Sequence, residues 1–75
     1  MSIYLIIVLL TLPAQQGQAG PVTELHREFI TASSDSVCQA HAEKRAEEQR
    51  QRYADSVRRL QAKVAGVCVL QGGTP

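Results

Sequence analysis

The ten residues Ile3-Tyr4-Leu5-Ile6-Ile7-Val8-Leu9-Leu10-Thr11-Leu12 carry no charge and stop at Pro13. Their length limits what the chain can become. A transmembrane helix needs about 20 apolar residues to cross the hydrocarbon core, so this run is too short for a membrane span. Two readings remain. The β-branched and aromatic content suits a buried strand over residues 1–12, with Pro13 ending it. The same length suits the apolar region of a secretory signal, and Gly17-Gln18-Ala19 places small residues where cleavage before Gly20 would need them. Met1-Ser2, however, supplies no basic leader.

The residues that follow favour the strand. Residues 13–21 hold two Pro and two Gly among small polar residues, the composition of a connection between paired strands. Residues 22–31 then read as a second strand, with Leu25, Arg27 and Phe29 on one face and Glu24, His26 and Glu28 on the other. From Ser33 or Ser34 the chain reads as a helix over 34–65. Ser and Asp35 supply a cap and a negative charge at its start, and Gly66 a stop. No Pro or Gly interrupts it, and Ala, Glu, Gln, Arg and Lys dominate. Its apolar stripe is Cys38, Ala42, Ala46, Tyr53, Val57, Leu60 and Val64, interrupted at Gln49. A break near Gln49 to Arg52, giving a helical hairpin, is the alternative to one long helix. Residues 67–71 complete the pattern as a short buried strand, and 72–75 form a tail.

The fold class expected is therefore α+β: a single small strand-strand-helix-strand domain with one long helix. If the first residues are removed as a signal, the remainder is a mostly helical hairpin. At 75 residues a domain buries only about 60% of its unfolded surface, so a staple or a partner is expected. Cys38 and Cys68 are a possible disulfide. A straight helix from 35 to 64 would carry the chain roughly 45 Å, and four further residues recover at most about 14 Å. One straight helix and an intramolecular bridge thus exclude each other, because bridged Cα atoms lie within about 7 Å.

No catalytic constellation can be assembled from these residues. Cys38 and His41 stand three apart near a helix start, but no orienting third group or oxyanion motif accompanies them. Cys38, His41 and Cys68 are zinc-type ligands without a paired spacing, so no metal and no cofactor is expected. A net charge of +1 weighs against nucleic acid as a partner. Arg50, Arg52, Arg58, Arg59 and Lys63 nonetheless form a local basic excess, which an anion-binding reading would use. If the first run is a strand, both its faces are apolar and one helix covers only one of them. The surplus face, or an unpaired sheet edge, is then a surface for another protein or a second copy. Ile6, Val8 and Leu10 are the expected apolar contact, and Arg52, Arg58 and Arg59 the charged one.

An apolar first strand, the turn at Gly20-Pro21, a strand ending in Phe29, Ser36-Val37-Cys38-Gln39-Ala40 opening a helix, and Cys68-Val69 in a closing strand form a recognisable order. It resembles short bacteriophage and prophage proteins with a hydrophobic N-terminus, and departs from them in a longer helix. The resemblance implies a non-enzymatic accessory protein that docks on or inhibits a host protein. An intact first strand goes with the cytoplasm. A cleaved signal goes with an exported envelope protein stapled through Cys38 and Cys68.

Overall fold

The computed structural model describes residues 1–73, with elements in the order β1 (Ser2–Thr11), β2 (Val22–Ala32), α1 (Asp35–Arg52), α2 (Ala54–Leu60) and β3 (Lys63–Gly73). Three antiparallel strands in the order β2-β1-β3 form one sheet, and α1 lies across one of its faces. The chain is a small α+β domain with the apolar N-terminal run as its central strand. That placement follows from composition: β1 offers no charged side chain to solvent, and only the centre of a sheet pairs both of its edges.

The link from β1 to β2 is a hairpin that narrows in steps. Leu12 donates its N–H to the Pro21 carbonyl at 3.0 Å, and Gln15 and Gln18 exchange backbone bonds at 3.0 and 2.9 Å. Gln16 and Gly17 between them both have positive φ, 52° and 79°, as the mirror-image turns that match strand twist require. Gly20 has no room for a side chain, since a Cβ there would lie 1.9 Å from the Leu12 carbonyl oxygen.

Ser34 caps α1, its hydroxyl accepting from the Val37 N–H at 3.3 Å. The face turned to the sheet is made of Cys38, Ala42, Ala46 and Gln49, all buried. Small residues at that spacing let the helix approach closely. Gly66 is the point of contact: a Cβ added there would sit 2.4 Å from the Ala42 carbonyl oxygen. Four residues of helix rise about 6 Å and two residues of strand about 6.6 Å. Ala42 over Gly66 therefore brings Cys38 over Cys68, and the two are joined by a disulfide with Cα atoms 6.2 Å apart. Tyr4, Ile6, Val8 and Val64 fill the core beneath.

Several sequence expectations change. The helix does not run from 34 to 65. It ends at Arg52 and resumes as α2 beyond Tyr53 (φ −111°, ψ 30°), close to the expected break, but α2 buries none of its residues. Val64 and Gly66 belong to β3, which starts at Lys63 instead of 67, so Gly66 is a close-packing residue and not a helix stop. The stop is Gln61, in the left-handed region at φ 53°. With a helix of 18 residues and a strand that turns back early, the distance that excluded the bridge disappears. Gly72 and Gly73 of the expected tail lie in β3, and Thr74 and Pro75 lie outside the described residues.

Candidate functional site

Ile6 and Val8 are fully buried under α1, and Leu10 is packed against the same core. The expected docking residues thus hold the helix and do not face a partner. The face that no element of the described chain covers carries the other register: Ile3, Leu5, Ile7 and Leu9 of β1. Residues level with these in the neighbouring strands share their face. Leu5 is flanked by Phe29 and Val69, Ile7 by Arg27 and Val67, and Leu9 by Glu24 and Ala65. Phe29 is 63% exposed, Ile3 49% and Val69 44%, whereas Leu5 is only 8% exposed because its two cross-strand neighbours close over it. The result is a contiguous apolar surface on an open sheet face.

Charge occupies the half of this face that runs from Ile7 to Thr11. β2 carries a bulge where Val8 pairs with His26 and Leu9 with Glu24, leaving Leu25 as the extra residue. In a regular strand, residues three apart face opposite ways, and the extra residue brings Glu24 and Arg27 to the same side. They form an ion pair at 2.8 Å, and the Arg27 hydrogen bonds hold the Glu24 carboxyl below the usual glutamate range. Lys63, paired with Thr11 on the far strand, stands at the same end.

The two sheet edges are less open than the face. β2 presents Glu24, His26, Arg27 and Glu28 along its length, and such charges blunt an edge. β3 has a single charge, Lys63, but side chains of α1 occupy its carbonyls. Arg50 donates to the Val64 carbonyl at 2.8 Å and Gln39 to that of Gly66 at 3.4 Å.

Ion pairs hold the helix side together. Arg45 Nε donates to Glu28 Oε1 at 2.6 Å, and His26 lies 3.1 Å from the same oxygen. The Tyr4 hydroxyl donates to Asp35 Oδ1 at 2.5 Å, tying β1 to the first residue of α1. Bonding to that carboxylate, together with burial, raises the phenol above its ordinary pKa. Cys38 is oxidised, so it offers no thiolate to His41, which is exposed. Among the described residues no three metal-ligating side chains converge, and no helix is long and apolar enough to cross a membrane.

The basic candidates lie elsewhere. Arg52 ends α1 with its guanidinium 5.9 Å from the Tyr53 ring centre. Arg58 pairs with Asp55 at 2.8 Å, and Arg59 is exposed beside it in the last turn of α2. The charged residues in register with the open face of β1 are instead Glu24, Arg27 and Lys63. Sequence reasoning missed Phe29, Val67 and Val69 as surface residues. The signal was present in the matched spacings Cys38–Ala42 and Gly66–Cys68, which mark the face of β3 that meets the helix. In comparisons with known proteins, the chain matches no family, no curated protein and no solved structure.

Proposed function

We propose that this chain is a non-enzymatic accessory protein that acts by docking another protein against the open face of its sheet. One observation carries the reading: the central strand is apolar on both sides, and α1 covers only one of them. A soluble chain rarely keeps an apolar surface of this extent on a sheet unless something covers it. A phage or prophage origin, with a host protein as the target, remains the biological setting that the order of sequence features supports.

The disulfide supports residence in an oxidising compartment. It does not support the exported form that begins at Gly20, since that chain lacks the strand to which β2 and β3 both pair. The anion-binding reading has less support, because Arg58 is already paired with Asp55 and Arg52 lies over the Tyr53 ring.

A photo-crosslinking residue at Val67, in the cell that makes the protein, tests the docking surface. Protein adducts are expected from position 67 and not from His41, an exposed position on α1. Equal yields from the two positions, or none from 67, would remove the basis for the reading.

A further inference from the structure

Resting on that reading, we infer that the occupant of the open face is a second copy of this chain, packed sheet to sheet about a two-fold axis parallel to β1. Two features of the face select this partner. The first is its size. Three strands at about 4.8 Å spacing and ten residues at about 3.3 Å project to roughly 480 Å² per copy. Two such faces bury about 950 Å², near the roughly 1,000 Å² that a specific interface must clear, and the corrugated accessible surface exceeds its projection. A domain of 75 residues with one thin core gains stability from such cover.

The second feature is the placement of charge. Rotation about an axis along β1 sets β1 on β1 and lays β3 of one copy over β2 of the other, with the same ends together. Val69 and Phe29 are both level with Leu5, so each Val69 meets the other copy's Phe29. Lys63 is level with Thr11 and Glu24 with Leu9, so each lysine stands diagonally across from the other copy's glutamate, about 6.6 Å along the strand and within reach of its long side chain, twice by symmetry. The other in-plane axis, across the strands, lays β2 on β2. Its midpoint falls near Ile7, whose partner is Arg27, and would bring two guanidinium groups together. The charge pattern therefore favours one of the two isologous arrangements and disfavours the other. Both in-plane axes keep the strand lines of the two antiparallel sheets aligned, as sheet packing at about 30° requires, so charge and not strand direction makes the choice.

Sedimentation equilibrium of the oxidised full-length chain tests this. The wild type is expected at twice the 8.2 kDa chain mass. Lys63→Glu and Glu24→Lys, both at exposed positions, should each weaken association by about tenfold or more, because each places like charges across the interface. Mixed one to one, the two variants should associate again, since every contact in the mixed pair is then between opposite charges. Circular dichroism of each variant checks that the fold is kept. A wild type that stays monomeric at the highest concentration reached overturns the second copy as occupant. If position 67 still crosslinks to a different protein, docking stands while the dimer falls. A dimer indifferent to both charge changes, or not restored by mixing, overturns the axis and the proposal with it.

Discussion

Glu28 sits on the helix side of β2 beneath Arg45. Burial pushes its carboxyl up, but hydrogen bonds and charge from Arg45 and His26 together outweigh that and hold it below the ordinary glutamate value of 4.5. A carboxyl with a depressed folded pKa contributes stability that is present above the unfolded value and disappears as pH falls through the folded one. Urea midpoints should therefore be steady near neutrality and decline below about pH 4.5, and Glu28→Gln should flatten that decline. An unchanged acid limb in the variant would mean that the Arg45 pair contributes little. The same ion pair joins α1 to an outer strand that the helix otherwise touches lightly. Ala42 and Gly66, in contrast, bring it onto β3 by close backbone approach beside the Cys38–Cys68 bridge.

At the scale of elements, the helix and β3 form a matched pair, with four helical residues for every two of strand. The bridge between Cys38 and Cys68 fixes that register across a separation of 30 residues. Closing a loop of that length stabilises a fold by about 3.5 kcal/mol through the entropy of the unfolded chain. Replacing both cysteines by alanine should cost about 3 kcal/mol in chemical denaturation, more than an ordinary surface substitution can. A loss under about 1 kcal/mol would show that helix packing alone sets the register. α2 has no comparable tie. None of its residues is buried, its capping position Tyr53 makes no side-chain cap bond, and its end at Gln61 holds a non-glycine residue at positive φ.

For the molecule as a whole, the N-terminal run decides whether there is a fold. Both outer strands pair only with β1, and Tyr4, Ile6 and Val8 form the floor on which α1 rests. A chain starting at Gly20 should lose cooperative unfolding and the strand signal in circular dichroism, even with its disulfide formed. Retention of a sharp thermal transition by that fragment would show that β2, α1 and β3 can pair without the centre. The outline of the molecule, 47 × 26 × 16 Å, is that of a plate, and a plate of one sheet and one helix layer has one uncovered side.

How much of this was legible beforehand differs from element to element. Composition and periodicity favoured the two N-terminal strands, the proline- and glycine-bearing turn, the capped start of the helix and the α+β class, because each rests on local preference over adjacent residues, but they left the first run open to a signal reading as well. The end of the helix was legible only as an alternative, the break near Gln49 to Arg52. Residues 53–65 contain no Pro or Gly to stop a helix, and the pairing of Lys63–Gly73 with β1 overrides helix continuation there. The bridge followed from that shortening. Nor could β1 by itself say which of its sides faces outward, since both are apolar. That choice was made by Cys38, Ala42 and Gly66, whose small size lets α1 settle on the side of Ile6 and Val8, leaving Leu5, Ile7 and Phe29 on the open face.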